Sequence, residues 1–160
     1  MKNSLDNLFV GLILLLSSLS VNAQCLDFSF EESMDGSDIL VDVRVDNFTD
    51  ILSVQIAFGY PADKLQLVSI DGNTQLNINQ SNLNSQNPGY ISLVWFKANV
   101  GETLSDGSSI LQFRFQPLSP SPATIILLDT DYIEIMNDSF EDVCYTIQNI
   151  IVNEPRAIIS

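Results

Sequence analysis

Histidine is absent from this chain, cysteine occurs twice, and six lysines and arginines face twenty aspartates and glutamates. Each shortage removes a class of chemistry. Without imidazole there is no ordinary general base, no serine triad, and few zinc or copper ligand sets. Cys25 and Cys144 alone form no thiolate cluster, and a cysteine nucleophile would lack its usual partner. No glycine-rich phosphate loop is present. The net charge of −14 repels phosphate backbones and anionic lipid, which argues against nucleic acid and membrane-surface partners.

Paired carboxylates are the chemistry left open, because glycoside hydrolysis needs two of them at a set separation. Asp129, Asp131 and Glu134 lie close in sequence, as do Asp138, Glu141 and Asp142. Neither group has a required spacing, and both read as acids on exposed strand ends and loops. The expectation is a non-enzyme without a cofactor. Calcium is the one metal that merits weighing, since FEESMDGSD gathers Glu31, Glu32, Asp35 and Asp38 after Asp27. That stretch does not match the twelve-residue helical calcium loop, and a solvated acidic loop is the simpler reading.

What the chain does have begins with MKNSLDNLFVGLILLLSSLSVNAQ. Its apolar run from Leu8 to Leu19 is shorter than the roughly 20 residues that span a bilayer, and Val21, Asn22 and Ala23 suit a signal peptidase. Residues 1–23 therefore read as a secretory signal and 24–160 as one domain. The expected location is secreted, either extracellular or at the cell surface, with the periplasm as an alternative, and no membrane insertion after cleavage.

Period-two alternation dominates the domain. ILVDVRV turns Ile39, Val41, Val43 and Val45 to one side, and ILSVQIAFGY turns Leu52, Val54, Ile56 and Phe58. Leu65 and Leu67 mark a third strand. The asparagine-rich stretch 73–89 reads as loops around a weak strand at Gln75 to Asn79. YISLVWFK sends Ile91, Leu93 and Trp95 inward, and ILQFRFQP sends Leu111, Phe113 and Phe115. TIILLD, YIEIM and VCYTIQNIIV follow, the last read as one closing strand. Prolines fall outside the alternating runs, where no ladder donor is needed. Eight or nine strands without a helical run predict an all-β fold, two antiparallel sheets packed face to face.

GSDILVDVRVDNFTDILSVQIAFGYPADKLQLVSI, followed by GYISLVWFK, SDGSSILQFRFQPL and a closing strand, resembles the cohesin domain, especially divergent versions in secreted proteins of Bacteroidetes-like bacteria. The resemblance spans roughly residues 36 to 153. It implies a jelly-roll sandwich related to carbohydrate-binding modules. It also implies a secreted, non-catalytic recognition module for a protein partner of dockerin type. The family's dockerin face is the outer surface of one sheet; matching strands here offer Ser53 and Gln55, Ser92 and Val94, and Gln112 and Arg114.

Two other functions stay open. A carbohydrate-binding module of a polysaccharide-degrading system would need exposed rings, for which Tyr90 and Phe96 are candidates, with Tyr132 and Tyr145 beside them. Trp95 falls on the core side of its strand. A structural or adhesive domain without a small ligand is the third possibility. Export also permits a disulfide between Cys25 and Cys144, which meet if the terminal strands lie side by side; two separate buried thiols are the alternative.

Overall fold

The computed structural model describes residues 25–118, 123–127, 132–147 and 150–152; the apolar leader, Asp129 and Asp131 lie outside the described residues. Eight strands of four residues or more are present: β1 (Leu26–Asp35), β2 (Asp38–Asp46), β3 (Ile51–Gly59), β4 (Leu65–Gly72), β6 (Tyr90–Phe96), β7 (Ser108–Pro117), β8 (Ala123–Leu127) and β9 (Glu134–Asn137). Three shorter ones join them, β5 (Leu83–Asn84), β10 (Tyr145–Ile147) and β11 (Ile150–Val152). A 3-10 turn spans Gln80–Asn82, and Tyr132 also has 3-10 geometry.

Two sheets form the sandwich. The first runs β10-β1-β2-β7-β4; the second runs β11-β8-β3-β6-β5, with β9 also paired to β3. Only β1–β2 and β5–β6 are neighbours in both sequence and space, because most loops carry the chain from one sheet to the other. All pairs are antiparallel except β1 with β10, whose shared direction brings the two ends of the fold together. Cys25 and Cys144 are joined there by a disulfide, with Cα atoms 4.7 Å apart. The Leu26 amide donates to the Cys144 carbonyl beside it at 2.9 Å.

The core is the meeting of the two inner faces. Val41, Val43, Phe113 and Phe115 from the first sheet and Ile56, Phe58, Ile91 and Leu93 from the second are buried. Phe58 packs edge-on against Phe113 at 5.1 Å between ring centroids, so the sheets are locked by aromatic contact as well as by area. Trp95 is in this core, its indole N–H donating to the Leu76 carbonyl at 2.7 Å. A buried indole needs such a partner, and the loop supplies it.

Three local expectations differ from the structure. The acidic stretch after Cys25 is not a loop: it is β1, with Leu26 and Phe28 buried and its acids half-buried or exposed. Residues 75–79 are not a strand. The Asn73 side chain accepts from the Leu76 amide at 2.9 Å and Asn77 adopts φ 53°, so a turn, not a pleat, buries Leu76 and Ile78. Gly72 lets this turn close onto β4, since a Cβ there would lie 2.5 Å from the Ile78 carbonyl oxygen. The closing strand is also two: β10 pairs with β1 in the first sheet, and β11 pairs with β8 in the second. In β4, a register shift between Leu67 and Ser69 turns Val68 outward and restores Ile70 to the core.

Candidate functional site

The strand registers lay out the outer face of each sheet. In the second sheet, Ser53 is the Cα partner of both Phe96 and Met136, and Met136 bridges to Asp142. One row therefore reads Asp142, Met136, Ser53, Phe96. The next reads Glu134, Gln55, Val94, closed by Asn82, whose amide donates to the Val94 carbonyl at 3.2 Å. Ala57, Ser92 and Asn84 form a third row. Phe96 is 74% exposed and Val94 50%, while Ser53, Gln55 and Ser92 are half-buried. Alternation explains the pattern: every second residue of β6 fills the core, which leaves Val94 and Phe96 facing water.

None of Ser53, Gln55 and Ser92 has a side-chain hydrogen bond among the described residues, and Glu134 and Asp142 have no ion pair. The single lysine at this end, Lys97, is bonded to Glu102. The centre of the face is thus neutral, partly apolar and uncommitted.

The first sheet's outer face is organised differently. Leu40 pairs with Arg114, Asp42 with Gln112 and Arg44 with Ser109. Arg114 contacts Asp35 at 2.8 Å and Asp38 at 3.2 Å; these two bonds, Asp35 first, raise the guanidinium pKa above its ordinary value. Arg44 pairs with Glu31 at 2.6 Å and donates to the Gly107 carbonyl at 3.1 Å. Asp42 accepts from Ser109 at 3.0 Å and from Gln112 at 3.1 Å. Three of the five acids weighed for calcium are engaged with arginine instead, Glu31 with Arg44 and Asp35 and Asp38 with Arg114, while Asp27 accepts from Asn47 and Thr146. No group of three or more metal-ligating side chains converges among the described residues.

The sequence candidates therefore divide. Ser53, Gln55, Tyr90, Ser92 and Phe96 belong to β3 and β6 of the second sheet, whereas Gln112 and Arg114 belong to β7 of the first. They line opposite sides of the sandwich and form no single patch. Alternation distinguishes outside from inside on each strand but not one sheet from the other. Sequence reasoning missed Met136, and it weighed Glu134 and Asp142 only as paired carboxylates, not as neighbours of β3 that reach the face through β9; YIEIM signalled a strand but not its neighbour.

The rings do not form a row. Tyr90 and Phe96 stand at opposite ends of β6 with Ser92 and Val94 between them on the outer side. A separate groove of about 430 Å³ lies along the β4 edge, lined among others by Tyr60, Leu67, Val68, Pro88 and Leu118. None of the sequence candidates lines it.

The cohesin domain family model matches residues 30–143. Among solved structures, CaCohA2 from Clostridium acetobutylicum is similar at 17% identity and a TM-score of 0.67, covering 86% of this chain and 96% of that one. The sixth cohesin of scaffoldin B from Acetivibrio cellulolyticus, solved with a dockerin, shares 18% identity at a TM-score of 0.66, covering 82% and 98%. The Coh-OlpA–dockerin complex of Clostridium thermocellum contains a further type I cohesin at 11% identity and 0.67, covering 81% and 99%. At these identities the likeness establishes the jelly-roll sandwich. No curated protein matches the sequence.

Proposed function

This chain belongs to the cohesin domain family, and we propose that it is an exported, non-catalytic recognition module that binds a dockerin-type protein through the outer face of β3 and β6. The observation that carries this reading is the contrast between the two outer faces. Protein interfaces are enriched in aromatic residues and methionine and deplete charge at their centre. The β3–β6 face has that composition, with Phe96 and Val94 open and Ser53, Gln55 and Ser92 free to bond. The β2–β7 face has its charges already paired. Solved cohesins held by dockerins support the partner class.

The disulfide supports an oxidising location and hence the export expected from residues 1–23. The separation of Tyr90 from Phe96 favours protein over polysaccharide, since a sugar chain stacks on rings in line.

The test is calorimetric titration of the purified domain with dockerin modules encoded by the same genome. Binding by at least one is expected, with Val94→Asp weakening it by about 100-fold, because a charge would be buried at the interface centre. Asp42→Ala on the opposite face should leave affinity unchanged. Loss of binding with Asp42→Ala but not with Val94→Asp would overturn the assignment of the face, and polysaccharide binding without dockerin binding would overturn the partner class.

A further inference from the structure

The β3–β6 face is not charge-symmetric. Along β3, one flank is β9 and the segment after it, where Glu134 and Asp142 are exposed and, among the described residues, unpaired. The other flank is β6 followed by β5, where the rows end in Asn82 and Asn84. Neighbouring strands lie about 4.8 Å apart, so a row from Asp142 to Phe96 spans about 14 Å. A helix with its side chains is about 10–12 Å across. Laid along β3 it would rest on Ser53 and Gln55 between Met136 and Phe96, with carboxylates beyond one flank and amides beyond the other.

We infer that this face accepts its partner in one orientation: an apolar ridge on Phe96, Val94 and Met136, with lysine or arginine toward β9 and uncharged residues toward β5. The inference rests on the β3–β6 face being the binding face and adds the partner's chemistry and direction. Complementary charge at the edge of an interface fixes register and rejects the reversed arrangement, because reversal leaves the acids facing nothing and cations facing amides. The acids of the opposite β2–β7 face do not compete for this role. Glu31, Asp35, Asp38 and Asp42 are held by arginines or neutral donors on the far face.

The probe is a pair of helical peptides of about 20 residues, long enough to hold helix, sharing a leucine ridge and one neutral flank. The second flank carries lysines in one peptide and glutamates in the other. Titrated into the labelled domain by NMR, the lysine peptide should shift the amides of Ser53, Gln55, Val94 and Phe96 and bind about tenfold tighter than the glutamate peptide. The double variant Glu134→Lys, Asp142→Lys should invert that ranking, and Asn84→Lys should preserve it. A spin label on the lysine flank should broaden Ile135 and Val143 more than Leu83. Equal binding of the two peptides at this face, or inversion by Asn84→Lys, would overturn the orientation while leaving the face intact. Shifts confined to other surfaces would overturn both.

Discussion

The two outer faces are built from the same kind of strand with the same alternation, yet they differ in where their polar groups are bonded. On β2 and β7, Asp42, Arg44, Gln112 and Arg114 are tied to one another or to Glu31, Asp35, Asp38 and Ser109. On β3 and β6, the side chains of Ser53, Gln55 and Ser92 have no hydrogen-bond partner among the described residues, and Phe96 and Val94 are left in water. A hydrogen-bonding group already satisfied within the fold must lose a bond before it gains one from a partner. A free one exchanges only water. The lesson is that strand alternation alone does not tell the two faces apart, whereas the internal accounting of their bonds does.

Both faces stand on one core, and the largest effects should be shared by them. Phe58→Ala beneath the β3 face and Phe113→Ala beneath the β7 face should each destabilise by about 3–5 kcal/mol, because each empties a ring-sized space from a fully packed contact. Guanidinium denaturation midpoints measure this. If one substitution were severe and the other mild, the faces would rest on separate cores and the comparison between them would lose its common footing.

The disulfide comes next. Cys25 and Cys144 close a separation of 119 residues on the edge of the charged sheet, where β10 meets β1. Replacing both by serine should lower stability by about 2–5 kcal/mol, chiefly by releasing the unfolded chain. Hydrogen exchange should then rise first in Leu26 to Phe28 and Tyr145 to Ile147, with the β3–β6 face protected. Equal loosening of both sheets would show that the staple supports the sandwich as a whole.

Much of this architecture is legible in the sequence. Val41 to Val45, Ile91 to Trp95 and Leu111 to Phe115 alternate cleanly because each lies in the middle of a sheet with one dry and one wet side. What escaped was non-local. The β1 strand hid behind its acids, whose neutralising arginines come from β2 and β7, many residues away. Leu76 and Ile78 mimic a strand because a left-handed Asn77 between them buries both without a pleat. Gln55 and Gln112 were grouped together because each points outward from its own strand, and nothing local reveals that their strands belong to opposite sheets.

Smaller effects separate the faces directly. Asp42→Ala removes the acceptor shared by Ser109 and Gln112 and should cost about 1–2 kcal/mol of stability with no change in partner binding. Phe96→Ala should change stability by no more than about 0.5 kcal/mol, since its ring is mostly in solvent, while abolishing most of the affinity. A large stability loss on Phe96→Ala would mean that the ring serves the fold.

The finest test uses one residue type on both faces. Gln55 and Gln112 are half-buried glutamines in central strands, each at the Cα level of a neighbour on both sides. Gln112 donates to Asp42 at 3.1 Å; Gln55 has no side-chain partner among the described residues. Truncating Gln112 to alanine removes a bond to a charged acceptor whose second donor, Ser109, remains, so a loss of about 0.5–1.5 kcal/mol is expected. Truncating Gln55 removes no internal bond and shortens a side chain in a strand, so its effect should stay within about 0.5 kcal/mol of zero. Chemical denaturation of the two variants beside the parent protein resolves the difference. Equal destabilisation would mean that Gln55 is bonded within the fold, and the contrast between a committed and an uncommitted face would fail at its centre.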